Sequence, residues 1–192
     1  MTLARQRRPV RAIVRAESPE HARHRLLQRL RKSAAWEPAL AEFVEAVAGD
    51  SALERFGCGL QAGSGVGTII HCAANTSFSE PQRESIWQTN VGGAHNLVAF
   101  ARQAAPGARI IFVSTASVVT APSGCITEEA PFAGHENPYT QSKREAEAIA
   151  LASGLDIVIV RPSIVLSRGV DDRAMARSIL WAMPIMIEVG EV

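Results

Sequence analysis

Short apolar runs alternate along the chain with longer stretches in which apolar residues recur at helical spacing. The runs Val10–Arg15, Phe43–Ala48, Thr68–Cys72, Ala108–Val113 and Asp156–Val160 are rich in Val, Ile and Ala and end near Gly, Pro or Asp. Runs of this length and composition predict strands, with Ala108–Val113 a buried one, as in a parallel sheet. Between the first two, Ser18-Pro19-Glu20 is a helix-start signal, followed by an apolar stripe of Ala22, Leu26, Leu27 and Leu30. Gln82 to Gln103 reads as one long helix with Trp87, Val91, Ala94, Val98 and Ala101 on one face. Pro138 to Ser153 reads as another, with Asn137 as N-cap, Pro138 at the first helical position and Gly154 just past its end. This alternation predicts the α/β class.

Composition narrows the picture. A length of 192 residues and a hydrophobic fraction of 47% suit one small domain with a core of its own. The net charge of +1 gives the chain as a whole no pull toward nucleic acid. The basic excess is local, with Arg5, Arg7, Arg8, Arg11 and Arg15 all preceding the first acid. Such a leader is read either as a targeting or polyanion-binding arm or, for Val10 onward, as a strand. Cys58, Cys72 and Cys125 are odd in number and lack paired spacing, so neither a disulfide framework nor a zinc site is predicted. No apolar run reaches membrane-spanning length, and Ile179–Met186 is short and interrupted by Pro184. A cytoplasmic setting is expected.

The densest chemistry is at Tyr139, the single tyrosine, four residues before Lys143, one of two lysines. Four residues is about one helical turn, so phenol and ammonium share a helix face. A nearby cation favours phenolate and lowers a tyrosine pKa from its reference of about 10, which suits a general acid or base. The plain alternative is an exposed tyrosine beside a solvated lysine. Hydroxyls at Ser114, Thr115 and Ser117 follow the Ala108–Val113 run, where open α/β sheets bind ligands.

Five segments in order, His71-Cys72-Ala73-Ala74, Asn90-Val91-Gly92-Gly93, Val113-Ser114-Thr115, Tyr139 to Lys143 and Arg161-Pro162, resemble the extended short-chain dehydrogenase/reductase family. Within it the likeness is to the thioester-reductase and fatty-acyl-CoA-reductase branch, with its male-sterility type NAD-binding domain, and it covers about Val10 to Leu166. The resemblance implies a Rossmann-like doubly wound parallel sheet over residues 1–166, followed by the start of a substrate domain over 167–192. It implies NADPH rather than NADH as hydride donor, and reduction of a thioester or aldehyde carbonyl on a small-molecule or carrier-bound acyl substrate. Tyr139 would protonate the substrate oxygen, Thr115 would hold that oxygen, and Lys143 would bind the nicotinamide ribose and acidify the tyrosine. Ser114 is read as a turn-forming hydroxyl or a cofactor contact. Arg15 is read as a 2′-phosphate contact or a surface arginine, and Asp50 as an adenine-side contact or a turn aspartate. Ala73 and Ala74 would let the backbone approach the cofactor, Asn90 would tie its helix to nearby loops, and Arg161 and Pro162 complete the cofactor set.

The departure from the pattern lies at the beginning. The family opens with a strand, a Gly-x-x-Gly-x-x-Gly turn and a helix, whose amides cradle pyrophosphate. Met1 to Pro9 contains no glycine. Gly63-Ser64-Gly65-Val66-Gly67 precedes a strand instead of following one, so it is not a phosphate loop and reads as a shortened, flexible connection. The first strand and its glycine-rich loop are therefore expected to be missing. A truncated frame, a degenerate copy, or a piece completed by a companion chain would each account for this. Two further readings stay open: an NAD-dependent sugar-nucleotide epimerase or dehydratase on the same scaffold, and a non-catalytic relic or binding module.

Overall fold

A computed structural model describes residues 2–32, 36–119, 127–128 and 137–163. The start of a substrate domain expected over residues 167–192, where Asp171 to Ile185 reads as one helix, lies outside the described residues, as does Cys125. The sequence from Thr120 to Glu136, with Pro122, Gly124, Pro131 and Gly134, reads as a loop over the substrate side, and most of it also lies outside them.

The described elements run α1 (Thr2–Arg5), β1 (Val10–Val14), α2 (Pro19–Leu30), β2 (Val44–Ala48), β3 (Thr68–His71), α3 (Arg83–Trp87), α4 (Gly93–Ala104), β4 (Arg109–Val113), α5 (Pro138–Ala152) and β5 (Ile157–Val160). All strand pairs are parallel and form two groups, β1-β2 and β3-β4-β5. Doubly wound sheets of the order 3-2-1-4-5-6 place their second and third strands on one side of the first and the rest on the other. The two groups match the 3-2 and 4-5-6 halves of that order, and no described strand pairs with the outer edge of β1 or of β3.

The core sits on one face of the β3-β4-β5 sheet. Because parallel partners in register share a face, Ile69, Ile110 and Ile157 line up across the sheet, as do His71, Phe112 and Ile159. Against them pack Ala94, Leu97, Phe100, Ala101 and Ala104 of α4 and Ala146 and Ala150 of α5. Small residues on α5 let that helix lie close to the sheet. Its start is fixed by a capping box: Thr140 N–H donates to Asn137 Oδ1 at 2.9 Å, and the Thr140 hydroxyl accepts from Asn137 N–H at 3.3 Å. Gly154 follows α5 at φ +70°, as a helix-ending glycine does.

Three local expectations need correction. Phe43 is not in a strand, because Pro38–Phe43 winds into a 3-10 turn before β2. The single helix predicted over 82–103 is broken by a π-turn at Gln88–Gly92 between α3 and α4, with Asn90 and Val91 buried in it. The predicted apolar face also omitted Ile86, Leu97 and Phe100, which are among its most buried residues. The segment leading to β3 packs against the end of α4 at Gly63. It forms 3-10 turns at Glu54–Gly57 and Leu60–Gly63, with Phe56 buried between the rings of His71 and Phe100. At Gly63 a Cβ would stand 2.3 Å from the Ala104 carbonyl oxygen, so this glycine is needed for contact with the end of α4.

Two measurements test this packing. Gly63→Ala should lower unfolding free energy by about 1–3 kcal/mol in urea titration, because backbone must move to admit the methyl. His71 is buried and held neutral, its pKa lowered to about 4 by burial and then by the Lys143 charge. A depressed histidine contributes stability that is full above its unfolded pKa of about 6.5 and is lost as pH falls toward 4. The wild-type urea midpoint should therefore fall across that window, by up to about 3 kcal/mol in stability. That slope should shrink in His71→Phe.

Candidate active site

The carboxyl ends of β3, β4 and β5 bring the predicted residues to one rim. After β4, Thr115 opens a short 3-10 turn, its hydroxyl accepting from Ser117 N–H at 3.2 Å. The turn is tied to the end of β5: Ser114 N–H donates to Val160 O at 2.8 Å and Ala116 N–H to Pro162 O at 2.9 Å. Pro162 thus helps to fix the height of the hydroxyl-bearing segment through its carbonyl.

The first turn of α5 meets this segment twice. The Tyr139 phenol lies within reach of the Thr115 side chain. Lys143 donates from Nζ to the Val113 carbonyl at 2.7 Å, and its ammonium lies 4.7 Å from the Phe112 ring centre. Lys143 is 2% exposed. Tyr139 and Lys143 thus both reach the end of β4 from one face of α5, the phenol toward Thr115 and the ammonium toward Val113.

Their electrostatics differ from the expectation. Burial pushes the Tyr139 phenol above its ordinary value, and the Thr115 bond only partly opposes it. Lys143 does not depress the phenol, because its ammonium is turned to the Val113 carbonyl. Burial lowers the Lys143 pKa to about 8, against the upward pull of Glu147 and then of Cys72.

Asn90 clamps the rim from the other side. Its Oδ1 accepts from Asn75 N–H at 2.7 Å, and its Nδ2 donates to Asn75 O at 3.0 Å and to Ser142 Oγ at 2.8 Å. Ser142 in turn donates to the Tyr139 carbonyl at 2.8 Å. One amide, presented by the π-turn, thus joins the loop after β3 to the tyrosine turn of α5. π-turns inside α-helices often occur at such places. Ala73 and Ala74 lie in that loop, Ala73 exposed and Ala74 partly so. Phe78, farther along it, packs its ring 5.6 Å from that of Tyr139 and is 57% exposed.

Two other predicted residues meet each other at the ends of β1 and β2. Arg15 and Asp50 form a two-pronged ion pair, Nε to Oδ2 at 2.6 Å and Nη2 to Oδ1 at 2.9 Å. Asp50 also accepts from Ala52 N–H at 2.9 Å, which makes it a turn aspartate as well. Burial alone would raise its carboxyl, and the Arg15 and Ala52 bonds outweigh that, leaving it below the usual carboxylate range. Arg161 is held by Glu147, Nε to Oε1 at 3.1 Å and Nη2 to Oε2 at 2.7 Å, and by the Glu128 carbonyl at 2.5 Å. Sequence reasoning assigned no role to Glu147, Ser142 or Asn75. Glu147 alone carried a signal, one turn beyond Lys143 on the same helix.

The rim fits the nicotinamide-ribose half of a dinucleotide. The buried Ser114 Oγ has no hydrogen-bond partner among the described residues, and a ligand hydroxyl or amide would satisfy it. Lys143 brings its ammonium to the same strand end. For the pyrophosphate half, no glycine turn leading from a strand into a helix is present among the described residues. The described residues contain no group of three or more His, Cys, Asp or Glu placed to hold a metal ion. No described helix is long and apolar enough to cross a membrane.

Several known proteins are similar to this chain. Peramine synthetase of Metarhizium majus is 29% identical over 186 residues, 89% of this chain but 6% of that protein. A putative dihydroflavonol 4-reductase of Synechocystis is 34% identical over 101 residues, half of this chain and 29% of that one. Among solved structures, the terminal R domain from the myxalamid PKS-NRPS biosynthetic pathway superposes with a TM-score of 0.75 at 26% identity, covering 84% of this chain and 44% of that one. The chain thus spans less than half the length of each of these. MoeE5, solved with UDP-glucose and NAD, shares the fold at 22% identity and a TM-score of 0.58. The male sterility protein family model matches residues 2–190, and the chain belongs to that family of NAD-binding domains.

Proposed function

We propose that this chain is the catalytic half of an NAD(P)H-dependent reductase acting on a thioester or aldehyde carbonyl held on a carrier. The observation that carries this reading is the convergence of Tyr139, Thr115 and Lys143 on the turn after β4. The Thr115 hydroxyl and the Tyr139 phenol lie close together, so a substrate carbonyl oxygen entering between them would accept from both. Tyr139 would then give its proton to that oxygen as negative charge develops there. A phenol is protonated at neutral pH, the form a general acid needs. A bound nicotinamide dinucleotide supplies the hydride. Lys143 and Ser114 would hold its ribose end, and Ala73 and Ala74 would let it approach the end of β3. Asn90 would keep that loop and the tyrosine turn in register.

NADPH is the preferred donor in this reading. Arg15 is largely exposed and stands at the end of β1, where an arginine accommodates a 2′-phosphate. Its pairing with Asp50 means that the phosphate would share or displace the carboxylate. Carrier-bound substrates are favoured by the likeness to the myxalamid R domain. A cytoplasmic setting belongs to the same reading. The edges of β1 and β3 would be joined by a strand leading into a glycine-rich turn, contributed by further sequence of the same polypeptide or by a companion chain.

Fluorescence titration tests the cofactor. NADPH should bind saturably once a strand–glycine-turn–helix segment is joined ahead of Val10, and Arg15→Ala should weaken NADPH more than NADH. No saturable binding at millimolar cofactor in the completed protein would instead support a non-catalytic module. In that completed protein, Tyr139→Phe should lower single-turnover aldehyde reduction at least about 100-fold with cofactor affinity little changed. An unchanged rate would remove Tyr139 from the chemistry.

A further inference from the structure

Lys143 is an ammonium placed almost wholly inside the protein, and its burial works against its charge. The groups around it explain how it stays cationic. From β4 it receives one carbonyl, that of Val113, and the face of the Phe112 ring. From β3 it faces His71, which is neutral and cannot help, and Cys72, whose thiolate form would favour the cation. Tyr139, on its own helix, is protonated and turned to Thr115. The remaining charge is Glu147, one turn along α5 on the same face and 4% exposed. Its two oxygens are gripped by the fork of Arg161, which itself leans on the Glu128 carbonyl.

A guanidinium stays charged inside proteins and presents its donors to both carboxylate oxygens at once. Glu147 is therefore held in place by two bonds to Arg161. We propose that Glu147, clamped by Arg161, is a positioning residue whose charge keeps the buried Lys143 ammonium protonated and directed at the β4 turn. This rests on the reading of Lys143 as a working cation. It adds the prediction that the lysine's protonation is set by an α5 carboxylate held from the end of β5. Arg161 is thereby assigned to the lysine's electrostatics.

The composition makes a direct test possible, because Lys32 and Lys143 are the two lysines of the chain. With ¹³C-labelled lysine, the Cε resonances of the full chain can be followed against pH without cofactor or substrate. In Glu147→Gln the Lys143 midpoint should fall by at least about one pH unit, the scale of a close opposite charge. Lys32 should not move. Glu147→Asp, which keeps the charge, should restore most of the shift. Should Glu147→Gln not fold, Glu147→Gln/Arg161→Gln removes both charges and leaves no uncompensated ion inside. Its Lys143 midpoint should also fall below the wild-type value. A Lys143 midpoint that is unchanged or higher in whichever of these variants folds overturns the proposal. The readout does not depend on cofactor binding, so failure here is distinct from failure of the reductase reading.

Discussion

An ammonium buried at the end of a parallel strand is the constraint around which the rim is arranged. Lys143 can occupy that place only because the Val113 carbonyl accepts its proton at 2.7 Å and an aromatic face lies beside it. A carbonyl at the last position of β4 is free for this purpose because the strand pairing ends there. Meeting the lysine's need sets the rotation of α5, and that rotation brings Tyr139 over Thr115. The hydroxyl segment is in turn held down by Val160 and Pro162 from β5. Tyr139, Thr115 and Lys143 are thus positioned by backbone groups that the sheet supplies in any case.

Much of this was legible in the sequence. The five strands announced themselves as apolar runs, although the face opposite the core leaves Ile70, Val158 and Val160 exposed among the described residues. Helix α5 could be bounded almost to the residue, since Asn137, Pro138 and Gly154 are punctuation whose meaning is local. The Tyr139–Lys143 pairing was legible for the same reason, as helical spacing is a property of the chain alone. The π-turn was not legible. Gln88–Gly92 has no composition that demands a wider turn, and its cause is tertiary: Asn90 reaches Asn75 and Ser142 from there.

Electrostatic direction was the least legible property. The sequence shows that a lysine stands one turn from a tyrosine, but it does not show which way the ammonium points. Once Nζ is committed to Val113, burial governs both groups and moves their pKa values in opposite senses, the phenol up and the ammonium down. Glu147 escaped notice because helix-surface carboxylates are common and usually solvated. Burial against the end of β5 is what changes its character. The glycines at 63–67 illustrate the converse. Their order relative to β3 argued against a phosphate loop, and contact with α4 gave Gly63 a separate reason to be there.

The wide turn at Gln88–Gly92 also constrains how this region can vary. An α-helix advances about 100° per residue. Removing one residue from the bulge would restore regular bonding to the helix and yet rotate α3 by that angle relative to α4. The amide that now faces two neighbours would swing off its partners, and the loop beyond β3 would lose its anchor. Insertions and deletions are thus barred from a stretch whose individual side chains look replaceable, and a locally irregular backbone becomes the feature least free to change.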